Sequence, residues 1–190
     1  MNSVKENMIT RQQAQDILEE MTDNESLLRH ARSIELVMTA YAAKLGEDME
    51  KWSITGLLHD ADYDKYPDQH PKLIVDRIKE MGDEEIAYAI SAHYTKWGNP
   101  CKSMLDKMLL ACDELTGFVI ACCHVRPGGI NTLNSKSVIK KLKSKGFAAK
   151  VDRDEVYFGV EQAGLDLKEH IEFIIGVLKN HQEELLISDN

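Results

Sequence analysis

Apolar side chains recur every third or fourth residue along nearly the whole chain, and this spacing constrains the fold more than any other feature. Leu27, Ile34, Val37, Met38, Tyr41, Ala42 and Leu45 form one such stripe, which is the face an α-helix buries. Thr10 and Asn24 stand where N-caps are expected, and Gly46 where a helix ends. The segment from Asp48 to about Asp60 is apolar on more than one side, through Trp52, Ile54, Leu57 and Leu58. A helix of that kind is central and largely buried. Ala61 to Gln69 is polar, holds Pro67 and reads as a loop. Pro71 then opens a helix to Met81, and Asp83 begins another.

Beyond the Gly98-Asn99-Pro100 break, Ser103 to His124 is the most apolar stretch. Arg126 to Gly129 reads as a loop. Ser135 to Lys145 reads as a basic amphipathic helix. Asp152 and Glu155 suggest a capping box for a helix to Ala163, although Val156 to Val160 has strand propensity without an evident partner strand. The last helix is expected from about Asp166 to Leu186. All four prolines fall between these helices. The expected fold class is all-α, a compact helical bundle.

Composition narrows the function. The chain has 190 residues, 32 acidic against 23 basic, and a formal charge of −9. That balance disfavours a nucleic-acid polymer as partner, because such binding rests on Lys and Arg neutralising phosphates. A small phosphorylated molecule stays compatible if a bound cation supplies the missing positive charge. The longest purely apolar run is about six residues, Phe118 to Cys123, whereas a membrane span needs roughly 20. Met1 to Arg11 is polar and has no apolar signal core. The expected location is therefore cytoplasmic, with no membrane partner. Cys101, Cys112, Cys122 and Cys123 form no C-x-x-C pair and read as structural thiols.

The sharpest local feature is His59-Asp60 at the end of the central helix. Adjacent helical residues point about 100° apart, so both reach one ion only from a helix end or a distorted turn. Gly56, one turn earlier, is expected to leave space beside them. His30 shares the apolar stripe of its helix, four residues before Ile34. His93 continues the face of Ile86, Ala89 and Ile90. Asp113 follows Leu109 and Leu110 inside the most apolar segment, and a buried carboxylate needs a cation or strong donors. Three histidines and two aspartates placed inward make a mixed N/O ligand set. Such a set suits Mn, Fe, Co, Ni or Zn better than Ca or Mg, with one or two ions. A helical core with several hydrogen-bonded polar residues is the alternative these placements leave open.

The order His30, His59-Asp60, His93, Asp113 resembles the ligand order of the HD-domain metal-dependent phosphohydrolase superfamily. The stretches "ITGLLHDADYDKYPDQH", "AISAHYTKWG" and "LLACDELTGFVIACCHVRP" are similar to small stand-alone bacterial members, and "SVIKKLKSKGF" extends the likeness into the C-terminal third. The resemblance implies a single domain over 1–190, with a metal-site core about 24–124 and a helical extension about 135–187. It implies His30, His59, Asp60 and Asp113 as the metal shell, with Asp60 able to bridge two ions. His93 and His70 would then stand at second-metal or phosphate-binding positions. His70 also precedes Pro71 at a helix start, where anions are favoured.

The implied reaction is hydrolysis of a phosphate monoester or diester, often of a nucleotide. Many members carry Lys or Glu three residues after the Asp of the pair, and here that position is Tyr63. Asp113 or Asp64 is then expected to orient or deprotonate water, while Asp62 reads as a turn former. Lys65 and Arg126 are expected to balance phosphate charge. Two rival readings stand beside this one. The first is a dinuclear-iron oxygenase on the same scaffold. The second is a non-catalytic metal- or nucleotide-binding regulator, whose basic helix with Lys136, Lys140, Lys141, Lys143 and Lys145 docks an acidic partner. A homodimer through an apolar patch on the last helix is also left open.

Overall fold

The computed structural model describes residues 9–188, so the polar stretch read from Met1 lies outside it through residue 8. Among the described residues every regular element is helical. Contacts divide the chain into two compact units, Met1–Asp106 and Lys107–Asn190.

The first unit contains α1 (Arg11–Met21), α2 (Glu25–Leu45), α3 (Met49–Leu58), α4 (Lys72–Glu80) and α5 (Glu84–His93). Thr10 caps α1 in a full capping box with Gln13, and Asn24 caps α2 by accepting from Ser26 and Leu27 N–H groups. Gly46 closes α2 at φ +76°, a left-handed conformation that costs glycine little. The α2 stripe expected from spacing is the one buried: Ile34, Val37, Met38, Tyr41 and Ala42 are in the core. α3 packs against both α2 and α1. All its residues from Trp52 to Leu58 are buried, as its lack of a polar face requires.

Gly56 does not leave a space. A Cβ there would lie 2.9 Å from both Glu35 N and Ile34 O, so the α2 backbone fills that place. The glycine permits the closest approach of α2 and α3. α3 also stops earlier than its spacing suggests. His59 is its C-cap and Asp60 lies in the following turn, the helix-end placement that lets neighbours share an ion.

That turn is fastened to the connection between α1 and α2. Thr22 Oγ1 donates to Ala61 O at 2.8 Å, and Asp64 Oδ2 accepts from the Asp23 and Asn24 N–H groups at 2.9 Å each. The stretch expected as plain loop holds a 3-10 turn at Pro67–Gln69, where the proline's fixed φ suits the first position.

α6 (Met104–His124) begins in the first unit and supplies the core of the second, through Leu115, Phe118, Val119, Cys122 and Cys123. The second unit continues with α7 (Gly129–Thr132), α8 (Ser135–Leu142), α9 (Arg153–Gln162) and α10 (Leu167–Lys179). Several expectations change here. Gly129 opens the short α7 rather than ending a loop. α8 stops at Leu142, and α10 stops at Lys179 with turns beyond it.

Val156 to Val160 is helical, because Asp152 caps α9 and Val156 and Val160 pack inward. The Asp152 N–H goes to Glu114 Oε2 at 3.2 Å, so the suggested capping box with Glu155 is only half formed. All four cysteines are unbridged, and three are buried. Burial pushes the Cys122 thiol up to about 11 and the Cys123 thiol up to about 12, which suits inert core thiols. Among the described residues no helix is long and apolar enough to cross a membrane.

Candidate metal centre

The C-terminal ends of α3 and α5 and the 3-10 turn before α4 bring polar side chains to one place in the first unit. His59, His70 and His93 are 0%, 7% and 5% exposed, and a buried polar ring needs partners for both nitrogens. For each ring the Nδ1 partner is local. His59 Nδ1 bonds Gly56 O at 2.8 Å, and His93 Nδ1 bonds Ile90 O. A carbonyl oxygen only accepts, so Nδ1 carries the proton in both rings. His70 Nδ1 bonds Asp62 Oδ1 at 2.7 Å. Asp62 is wholly buried and its other oxygen accepts from Ile74 N–H at 3.0 Å.

Each ring therefore turns Nε2 toward Asp60. His59 Nε2 is 3.6 Å from Asp60 Oδ2 and 3.3 Å from His30 Nε2. On the other side of the carboxylate, His70 Nε2 is 3.3 Å and His93 Nε2 is 3.4 Å from Oδ1. In the neutral tautomers these are lone pairs facing carboxylate oxygens.

Such an array is stabilised by a cation, and its spacing fits one. Ligands at about 2.0–2.1 Å from a tetrahedral or octahedral ion stand about 2.8–3.4 Å from one another. His30, His59 and Asp60 offer ligand atoms within 4.8 Å of one another, and Asp60, His70 and His93 do the same. The chain thus holds two His/Asp groups able to bind a metal, joined through Asp60. Imidazole with carboxylate is a donor set for divalent transition metals.

Three other residues singled out in the sequence, Asp64, Lys65 and Arg126, have different surroundings. Asp64 is taken up by the Asp23 and Asn24 amides. Lys65 Nζ donates to Glu20 O at 2.8 Å and pairs with Asp23 at 3.0 Å. Both therefore tie the turn to the α1–α2 connection. Asp113 lies half-buried on α6 in the second unit. Burial, with Asp113 adding to it, raises the neighbouring Glu114 carboxyl to about 8. Arg126, also in the second unit, donates to Thr132 Oγ1 at 2.8 Å and Ser137 Oγ at 3.0 Å.

Two functional features escape the sequence reading. Asp62, read as a turn former, is the carboxylate that orients His70. Asp62 and His70 both lie in turns outside regular helix, on either side of the 3-10 turn, so periodicity gives no signal. The second feature is Glu35 on α2, a buried carboxylate that accepts from Arg11 Nε at 2.8 Å, Arg32 Nη1 at 2.8 Å and Ser53 Oγ at 2.8 Å. Its place on the buried stripe, four after Ala31 and three before Met38, is the pattern that reveals it.

Residues 27–117 match the family model of the HD domain. The match covers just under half of the 190 residues and takes in His30, His59, Asp60, His70, His93 and Asp113. With the all-helical fold of the described residues, this match supports membership of the HD-domain superfamily, whose domains bind divalent metals. No solved structure matches the chain.

Proposed function

We propose that this protein is a metal-dependent phosphohydrolase acting on a small phosphoester. One observation carries the reading. Asp60 Oδ2 faces His59 Nε2 at 3.6 Å and Oδ1 faces His70 and His93 Nε2 at 3.3 and 3.4 Å, with Nδ1 of each ring bonded to an acceptor behind it. This is the arrangement of a carboxylate shared between two ligand groups. His30, His59 and Asp60 would hold one ion, with Asp113 as a further ligand on the strength of the family order. Asp60, His70 and His93 would hold a second ion or the substrate phosphate.

A divalent ion held there would supply Lewis acidity, acidifying water and offsetting phosphate charge. The chain's own contribution is preorganisation. Asp62 fixes His70 in the tautomer that presents Nε2, as a carboxylate behind a ligating histidine does. Gly56 O and Ile90 O do the same for His59 and His93. Asp60 keeps both oxygens directed at the imidazoles. Burial of the three rings restricts water, which strengthens the electrostatic interactions among them. Asp64, Lys65 and Arg126 leave the reading, because their polar atoms serve neighbouring structure. Asp113 remains the residue proposed to orient the attacking water.

The test is metal content and phosphatase activity of the wild type beside Asp60→Ala. Stoichiometric metal and hydrolysis that are both lost in the variant support the proposal. Unchanged activity in Asp60→Ala, or a wild type without metal, overturns it. The sharing of Asp60 by two groups also favours a second reading, a dinuclear-iron oxygenase. Bound iron with a mixed-valent resonance and substrate-dependent oxygen consumption would select that reading.

A further inference from the structure

The ends of α3 and α5 remote from His59 and His93 meet at a second cavity, of about 440 Å³. Each helix has 10 residues, so a helix length of about 15 Å separates this cavity from the metal centre. The start of α6 completes its wall. A volume of this size suits a small organic ligand.

Three helix starts would ordinarily attract an anion. Here the chain meets them itself. Asp48 accepts from the Lys51 N–H at 3.0 Å, Asp83 from the Ile86 N–H at 3.1 Å, and Asp106 from the Lys102 and Ser103 N–H groups at 2.9 and 3.0 Å. Five lining residues are carboxylates, Asp48 and Asp106 among them, against the two ammoniums of Lys51 and Lys102. The imbalance is felt at Lys51. Burial works to lower its pKa, but the hydrogen bond and charge of Glu85, with Asp83 and Asp48 beyond, hold it above its ordinary value. A further anion would enter a negative field.

The rest of the lining is apolar and aromatic. Trp52 and Leu105 are buried, and Met104 is exposed beside them. The Tyr88 hydroxyl donates to Pro100 O at 2.9 Å, which holds its ring in place. That ring already carries a cation, because Lys102 Nζ stands 4.0 Å from its centroid. Lys102 is exposed and sits on a flexible four-carbon stem, so its ammonium can be exchanged for another. Acidic first turns support their own helices. They do not account for an open apolar floor between two acidic walls.

We propose that this cavity binds a linear aliphatic polyamine. Its ammoniums would lie at Glu47 and Asp48 on the α3 wall, at Glu84 and Glu85 on the α5 wall, and on the Tyr88 ring. Its methylene segments would cover Trp52, Leu105 and Met104. A bare metal ion would use the carboxylates and leave that floor wet, whereas a chain of alternating charge and alkyl segments uses both. The site is separate from the metal centre and does not depend on the activity proposed there.

The experiment is calorimetric titration of the metal-loaded protein with spermidine at about 0.15 M salt, where separated surface charges are largely screened. It is repeated on Lys102→Ala and on the double variant Glu47→Gln with Glu84→Gln, all at exposed positions. Saturable binding to the wild type is expected. The double variant should weaken it at least about threefold. Lys102→Ala should tighten it about two- to fivefold, because a like charge leaves and the Tyr88 face opens. An anion site would respond to Lys102→Ala with the opposite sign. Absence of saturable binding, equal affinity in the wild type and the double variant, or binding that Lys102→Ala does not tighten overturns the proposal.

Discussion

Two carboxylates in the first unit are held in opposite ways. Glu35 on α2 meets cations from the chain itself. Arg11 binds both its oxygens, Arg32 binds one, and Ser53 adds a neutral donor. Burial alone would push its carboxyl up, but the hydrogen bonds from Arg11, Arg32 and Ser53 outweigh that and hold it below its ordinary value. Asp60 instead meets His59, His70 and His93 through nitrogens whose tautomers are fixed from behind. The first centre is neutralised by folding. The second belongs to two His/Asp groups able to hold a metal ion. One carboxylate joins helices, and the other forms a site.

The contrast is most exposed to test at Glu35. Glu35→Gln should destabilise the protein by about 2–3 kcal/mol in denaturant titrations, because hydrogen bonds to a charged group are lost. Metal content should not change. The sign of the pH effect also follows. A carboxyl held below its ordinary value contributes stability that is complete above that value and is lost as pH falls through its folded value. The wild type should therefore lose stability below about pH 4.5, and Glu35→Gln should lose less.

Gly56→Ala joins the two centres. The new Cβ would meet Glu35 N and Ile34 O at 2.9 Å, so α2 and α3 must part. Overpacking of this kind costs about 1–3 kcal/mol. It should also weaken metal binding, because His30 rides on α2 and His59 ends α3. A variant destabilised without any change in metal affinity would separate two centres that the structure couples.

Asp62→Asn probes the second centre alone. The amide no longer supplies the carboxylate behind His70, and losses of about 10–100-fold in metal affinity or activity accompany such changes. Calorimetric titration of metal-free protein reads this directly. The smallest effect is expected at Lys65→Ala. Its ammonium serves Glu20 O and the exposed Asp23, so stability should fall by less than about 1 kcal/mol and activity should stay within about twofold. A large activity loss there would return Lys65 to the site.

Much of this was legible in the sequence because helices declare themselves by period. The α2 stripe, the buried α3, and the caps at Thr10, Asn24 and Asp83 all follow from local rules. His59-Asp60 and His93 were legible because each sits at the end of a periodic helix. Asp62 was not, since its task depends on where a non-periodic turn brings His70. Gly56 reads as room beside the site, whereas it serves an approach from another helix, which no local pattern records. Lys65 and Asp64 had the right chemistry for catalysis, but their partners, at Glu20 and at Asp23 and Asn24, lie about 40 residues away in the chain.

Elemental analysis of purified wild type, Asp60→Asn and Glu35→Gln tests most directly whether Asp60 holds a metal ion. At least one divalent transition metal per chain is expected in the wild type and in Glu35→Gln. Asp60→Asn should lose the metal while its metal-free form stays within about 1 kcal/mol of wild type in stability. Equal metal content in wild type and Asp60→Asn, or a wild type that takes up no metal when it is supplied, would contradict the account.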